Sequence, residues 1–408
     1  MSTQQSSGQA SGQASGRSTR QPTRQPTVIQ ALALASVVAD ELVVGTVRDT
    51  HHAVADRVHG LLRRPTRGAS RLPELAHRAV SAPVYAGLGL GLRTLATGLG
   101  AVGSTGLGPS LEGDRHGRHL RAAVNGLIGD RLRDERHPMA IEMSVRTHGH
   151  DVEASPRGLA AAYPSATGRV VVLLHGLCED EEHFRRHRHR RGTTYAEELA
   201  ADGWTPVLVR YNTGLPLREN GVELTALLQR VVGAWPVPVE RVALVGHSMG
   251  GLVARAAAAV ATEPEDASWT RLVTDVVTLS TPHLGAPLAG GVGHGSRALA
   301  RLPEAAAFAR ILDQRSRGVH DLVAGLADDV PALPRARYHL VSAALSTSEL
   351  GLLRNVVGDL LVGQESAYGR RRGRDLFPGA DVLHVPGGNH FDLLNHADVA
   401  VALRRWLR

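Results

Sequence analysis

The stretch GHSMGG at residues 246–251 constrains this chain more than any other. It follows the apolar run Val242-Ala243-Leu244-Val245 and precedes the Ala-rich run from Leu252 to Ala257. A buried strand that turns directly into a helix leaves no room for side chains at the corner. Gly246 and Gly250, two residues either side of Ser248, are the positions such a corner needs bare. A turn of this sharpness lifts one hydroxyl to the edge of a sheet, where it can attack a carbonyl. The alternative is a tight turn and nothing more, and the rest of the chain decides between them.

A serine hydroxyl is a weak nucleophile until a base takes its proton. In a strand–turn–helix of this kind the chain order is serine, acid, histidine. The last predicted strand is Val382 to Val385, and the loop after it reads Pro386-Gly387-Gly388-Asn389-His390. His390 is therefore the expected base. His384 lies within the strand and His396 in the closing helix, where packing or surface roles fit better. The acid should orient the imidazole and steady its charged form. Asp359, after Gly358 and before a short apolar step, is the first choice; Glu365 and then Asp392 stand behind it. Two backbone N–H groups must face the developing oxyanion. Met249, next to the serine, supplies one. Leu177, in the His175-Gly176-Leu177 loop that follows the strand Arg169–Leu174, supplies the other. No metal and no cofactor is needed for such chemistry.

From about residue 138 to the end, apolar runs alternate with helical patterns. Predicted strands fall at 139–145, 169–174, 206–211, 242–245, 272–279, 338–341 and 382–385. Predicted helices fall at 193–201, 220–235, 249–261 and 397–407, the second opened by an Asn220/Glu223 capping box. This alternation argues a mostly parallel sheet with helices on both faces. Helical patterns between about 287 and 335 interrupt it and would form a cap over the strand ends.

With these residues in view, the chain resembles α/β-hydrolases of the lipase and esterase kind, and within them the triacylglycerol-lipase and GPI inositol-deacylase-like group. The likeness rests on LLHGL at 173–177, YNTG at 211–214, GHSMGGLVAR at 246–255, STPHLGAP at 280–287, GD at 358–359 and GGNHFDLL at 387–394. It covers residues 138–408 and implies hydrolysis of a carboxylic ester or lipid through an acyl-enzyme, with the cap governing access. Transfer of the acyl group to an alcohol, or a binding protein that keeps the fold without catalysis, are the alternatives. The run Glu179-Asp180-Glu181-Glu182 followed by HFRRHRHRRG departs from the mostly neutral loop of the relatives. For the basic runs HFRRHRHRRG at 183–192 and GRRRGR at 369–374, solvated surface is the plainest reading and a docking patch for anionic headgroups or a membrane surface is the other. Arginines interleaved among His183, His187 and His189 argue against a metal there. Cys178 reads as a small buried filler.

Upstream, residues 1–27 repeat SGQA and RQPT and are expected to be a disordered tail. Residues 28–135 read as a helical region with apolar stripes at Leu72, Leu75, Ala76, Ala79 and Val80, at Tyr85, Leu88, Leu92, Leu95 and Leu99, and at Leu120, Val124, Leu127 and Ile128. Packing against neighbouring elements is the favoured fate of those stripes. Contact with a membrane surface is the other, set back by the scarcity of aromatic and cationic side chains at 81–108. Val28–Val44 is interrupted by Asp40 and Glu41, so no spanning helix is expected. The formal charge of +7 comes with 3% aromatics and no lysine, all 46 cations being arginine, which gives little support to nucleic-acid binding. Without the apolar core of a signal peptide at the N-terminus, a cytoplasmic location is expected. Oligomeric state is not legible.

Overall fold

The computed structural model describes residues 26–408, apart from 46, 50, 53–54, 57–58, 60–70, 261–267, 286–315, 327–329, 331, 345–361 and 372. Residues 1–25 of the expected tail thus lie outside the described residues, as does most of the expected cap, while Thr27 caps the first helix.

Eight strands make one mixed sheet: β1 (Ser144–Thr147), β2 (His150–Val152), β3 (Arg169–Leu174), β4 (Thr205–Arg210), β5 (Arg241–His247), β6 (Val273–Leu279), β7 (Arg337–Ala344) and β8 (Asp381–Pro386). Their spatial order is β8-β7-β6-β5-β3-β4-β1-β2. β1 runs antiparallel to both neighbours, and every pairing from β4 to β8 is parallel. The apolar runs of β3 and β5 are buried on both faces, as a doubly covered parallel strand requires. Because the chain leaves β3 for β4 on one side and returns to β5 on the other, strand order reverses at β3. A crevice opens at the carboxyl ends of strands at such a reversal. Leu174 and Gly246 are register partners at that point.

Seven helices matter here: α1 (Val28–Val38, continued by a π turn over Ala39–Val44), α2 (Arg71–Ser104), α3 (Arg115–Asp134), α4 (Leu217–Ala234), α5 (Met249–Val260), α6 (Arg317–Ala324) and α7 (Ala397–Trp406). One buried cluster joins α4 and α5 to one sheet face through Leu224, Leu228, Leu252 and Val253. The other joins α7 to the opposite face through Val399, Leu403 and Trp406. The start of α4 differs from expectation. It begins at Leu217 after Pro216, with no side-chain cap. Asn220 is drawn inward, its Nδ2 donating to the carbonyls of Asn212 and Leu215 at 3.0 and 3.2 Å, so it cannot cap.

The N-terminal helices are not an appendage. The inner face of α1 (Ala31, Val38, Leu42) is buried with Leu111, Val124, Ile128, Leu132 and Met139. α3 in turn lies on the loops beside the strand ends. At Gly126 a Cβ would stand within 3.0 Å of Cys178, and at Gly129 it would stand 2.0 Å from Asn212 Oδ1. Asn212 Nδ2 donates to the Gly129 carbonyl at 2.9 Å. Ser316 Oγ, at the start of α6, donates to the Gly126 carbonyl at 2.7 Å. Leu120, Val124, Leu127 and Ile128 thus pack as expected. The first stripe does not: Leu72, Leu75, Ala76, Ala79 and Val80 are all exposed. The segment Val28–Asp49 is also longer and more apolar than the interruption at Asp40 suggested, 22 residues of mean hydropathy 1.8, enough by length and composition to cross a membrane.

Gly129→Ala is expected to overpack the α3–loop contact and cost about 1–3 kcal/mol. Gly87→Ala, at a helical position with nothing within 4 Å, should instead leave stability unchanged or raise it by up to about 1 kcal/mol. Paired thermal melts check this; equal midpoints for the two variants would contradict the close approach.

Candidate active site

The corner after β5 is as tight as the glycines require. Ser248 has φ of 52°, a left-handed conformation costly for a side-chain-bearing residue. Its N–H donates to the Leu279 carbonyl of the next strand at 2.8 Å, and its carbonyl accepts from Gly251 N–H at 3.2 Å. A Cβ on Gly246 would stand 2.4 Å from the Gly251 nitrogen, and one on Gly250 would stand 2.3 Å from the Leu174 carbonyl oxygen. Neither obstacle is a flexible side chain, so both positions demand glycine. The sequence missed a third: on Gly251, a Cβ would strike the Thr281 side chain at 2.1 Å.

Met249 opens α5, so its N–H is among the first-turn donors without a partner inside the helix. Across the crevice, Gly176 N–H is committed to Glu179 Oε2 at 2.6 Å, which turns the loop and places Leu177 next in line. The loop is further held by Cys178, at φ 60°, whose N–H donates to Thr213 Oγ1 at 3.2 Å. Cys178 packs on α3 but is half-buried rather than the fully buried filler expected.

His390 is 3% exposed and opens a short 3-10 turn, His390–Leu394, capped by Asn389. The elbow holds its loop directly. His247 Nε2 donates to the His390 carbonyl at 3.1 Å, and the two rings lie 4.8 Å apart. On its other side, His247 Nδ1 sits 3.0 Å from Glu179 Oε2. Both ring nitrogens of His247 therefore face acceptors, which calls for a proton on each and a charged imidazole. Burial alone would raise the Glu179 carboxyl, but the His247 ring and the Gly176 N–H outweigh it and bring it down to about 2. One buried carboxylate thus ties together the loop after β3, the elbow after β5 and the loop after β8.

The acid run is mostly internal: Glu179, Asp180 and Glu181 are buried. Besides Glu179, Glu181 is buried on Arg146 Nε at 2.8 Å. Asp180 accepts from His119 Nδ1 at 2.6 Å and lies 2.9 Å from His183 Nδ1. Burial opposes charge on Asp180, yet the two histidines hold its carboxyl far below the usual range. In the sequence little but the run's position after the His175-Gly176-Leu177 loop marks it, because His247, Arg146 and His119 are distant in the chain. His119, Asp180 and His183 also gather ligand atoms within 4.8 Å, the grouping that could hold a metal among the described residues. Their hydrogen bonds to one another already engage the Asp180 oxygens. The grouping His183, His187 and His189 is not assembled: His187 pairs with Asp392 at 3.3 Å and His189 is exposed. Arg185, Arg186, Arg188 and Arg190 are exposed, as solvated surface would be.

Asp359 lies outside the described residues. Of the other two acids considered, Glu365 is exposed on a four-residue helix. Asp392 is engaged elsewhere, accepting Asn389 N–H at 2.9 Å and pairing with His187. His384 and His396 hold structural places, the first 2.9 Å from Ser342 Oγ and the second capping α7.

A mixed sheet of this order, with a strained serine at the turn from its central strand into a helix and a buried histidine after its last strand, is an α/β-hydrolase fold. Residues 226–296, which hold the elbow, match the family described as the PGAP1-like alpha/beta domain. Over 145 residues the chain is 32% identical to a triacylglycerol lipase of Burkholderia plantarii, a stretch that covers 35% of this chain and 37% of that protein. Among solved structures it is similar to the mature form of the Bacillus licheniformis lipase BlEst2, with 22% identity, a TM-score of 0.42, and coverage of 59% of this chain and 91% of that one. For the naproxen esterase of Bacillus subtilis the identity is 13% and the TM-score 0.36, with coverage of 60% and 84%.

Glu179→Gln keeps the shape but leaves His247 without its counter-charge. Removing one partner of a buried pair costs about 3 kcal/mol. The stabilisation from the depressed Glu179 carboxyl is present above about 4.5 and is lost as pH falls from there toward 2. The variant should therefore melt earlier than wild type at pH 7, with the difference shrinking steadily below pH 4.5. A gap that is independent of pH would contradict the ionised pair.

Proposed function

We propose that the chain is a serine carboxylic-ester hydrolase acting through Ser248, His390 and Asp359. The observation that carries this reading is the strained Ser248 at the carboxyl end of β5, held at φ 52° beside two glycines that backbone contacts enforce. Packing alone gains nothing from such a corner, and strain of this kind persists where function needs it. The His390 loop bound to the elbow through His247 supports the base. Asp359 is taken as the acid on its place in the chain order, Glu365 and Asp392 being exposed or otherwise paired.

In this reading His390 takes the Ser248 hydroxyl proton as Oγ adds to the ester carbonyl. The carbonyl π electrons move onto oxygen, and the N–H groups of Leu177 and Met249 donate to that oxyanion. Collapse expels the alkoxide, which receives the proton from His390, and leaves an acyl-Ser248. Water then repeats the sequence: His390 accepts its proton, hydroxide character adds to the acyl carbon, and Ser248 leaves with the proton returned. Asp359 keeps the imidazole in the tautomer that accepts from serine and steadies its charged form. The similarity to a triacylglycerol lipase supports an ester or lipid substrate.

Ser248→Ala should reduce hydrolysis of p-nitrophenyl butyrate by at least about 1,000-fold with an unchanged melting temperature. His390→Ala should do the same. Steady-state assays decide it, and Ser248→Ala with more than about a tenth of wild-type turnover would overturn the assignment.

A further inference from the structure

Helix α2 hides two polar side chains and leaves most of its apolar ones exposed. On its inward side Glu74 and Ser81 are buried, Leu92, Ala96 and Leu99 are half-buried, and Gly89 and Gly103 sit so close to α1 that a Cβ would meet Asp40 and Gln30 at 2.7 Å. The inward polar groups find partners on the segment that continues α1. Tyr85 Oη lies 3.1 Å from His51 Nδ1, and Ser81 Oγ 3.5 Å from His52 Nε2. The outward side carries Val80, Val84, Leu88, Leu90, Leu95 and Val102, each between 43% and 67% exposed. In water a helix does the reverse, burying its apolar stripe and showing its polar face.

Three further features point to one kind of surrounding. From Ala79 to Ser104, 26 residues or about 39 Å of helix, Arg93 is the sole charge, and it is paired with Asp40 of the neighbouring helix at 3.5 Å. Two of the three exposed hydroxyls of this stretch turn back on their own helix: Thr97 Oγ1 donates to the Arg93 carbonyl at 2.8 Å and Ser104 Oγ to the Ala101 carbonyl at 2.7 Å. Such self-satisfaction is what a water-free environment demands. Finally, the uncharged arc is wide. Apart from the line through Glu74, Ser81, Gly89, Leu92, Ala96 and Gly103, nearly every position from Ala79 onward is exposed. A docked helix covers one stripe and leaves the rest of such an arc in water, whereas acyl chains wrap all of it.

We propose that α2 is a lipid-facing helix that lays this protein along a bilayer surface, its outward arc among the acyl chains. α1, buried against α3 on its other side, ties the embedded helix to the catalytic body. The cleft of about 580 Å³ between α1 and α2, lined by Ala33, Val37, Ala96 and Gly100 among others, lies beside this arc. The contact is apolar, so it holds on uncharged lipid and at high salt. This inference stands apart from the esterase reading, because vesicle binding needs no turnover.

The test is flotation of the full-length protein with phosphatidylcholine vesicles at about 0.15 and 1 M NaCl, alongside the combined variant Val84→Glu, Leu88→Glu, Leu95→Glu. Wild type is expected to float at both salt concentrations. The variant, altered only at exposed positions, should float at least about tenfold less and should keep wild-type hydrolysis of p-nitrophenyl butyrate. Three results would overturn the proposal: wild type left in the lipid-free fractions, flotation that needs phosphatidylglycerol and vanishes at 1 M salt, or a wild-type dimer that the variant turns into a monomer without any vesicle binding by either. If the triple variant does not fold, Leu88→Cys labelled with an environment-sensitive nitrobenzoxadiazole replaces it, wild type labelled at Cys178 serving as background. A blue shift on adding vesicles supports the proposal, and an unchanged spectrum counts against it.

Discussion

The Glu179 carboxylate holds the site in register. It accepts the Gly176 N–H and faces the His247 ring, which in turn donates to the His390 carbonyl. Three loops that leave three different strands thereby meet at one buried charge pair. A lone buried charge would be very costly, and removing one partner of a satisfied pair is more damaging than never having built it. The pair therefore fixes distances that hydrophobic packing alone leaves loose. Catalytic groups need their geometry held to a fraction of an ångström, and a charged hydrogen-bond chain running from the β3 loop to the β8 loop does that.

Around this pair the backbone does the remaining work. Helix α5 approaches the ends of β3 and β5 so closely that Gly246 and Gly250 have no substitute, and Ser248 absorbs the strain of the corner. Helix α3 braces the opposite wall. Its own glycines let it touch Cys178 and Asn212, and it hands on to α6 through Ser316. The helices before the sheet thus belong to the site's support on their inner side while α2 turns an apolar surface outward.

What the sequence showed and hid follows the range of the interactions involved. The elbow, the strands from β3 onward and the histidine loop were legible because local pattern sets them, a β run, two glycines, a serine and an Ala-rich helix standing within 16 residues of one another; the strand expected at 139–145 instead runs over Ser144–Thr147. The role of Glu179 was hidden because His247 is 68 residues away. Arg146 and His119 conceal Glu181 and Asp180 in the same way. The stripe at Leu72 to Val80 was visible, but periodicity states only that one face is apolar. Which way that face points depends on Ser81 and Tyr85 finding His52 and His51, a pairing that no single helix reveals.

In the proposed reaction the strained serine, the two backbone donors and the buried histidine act on one carbonyl. A crystal structure of the protein reacted with an alkyl phosphonate ester tests that most directly, since the adduct imitates the tetrahedral intermediate. Phosphorus is expected to be bonded to Ser248 Oγ, with its charge-bearing oxygen within about 3 Å of the Leu177 and Met249 nitrogens and His390 Nε2 hydrogen-bonded to the site. An unmodified Ser248, or an adduct whose oxygen points away from both nitrogens, would contradict it.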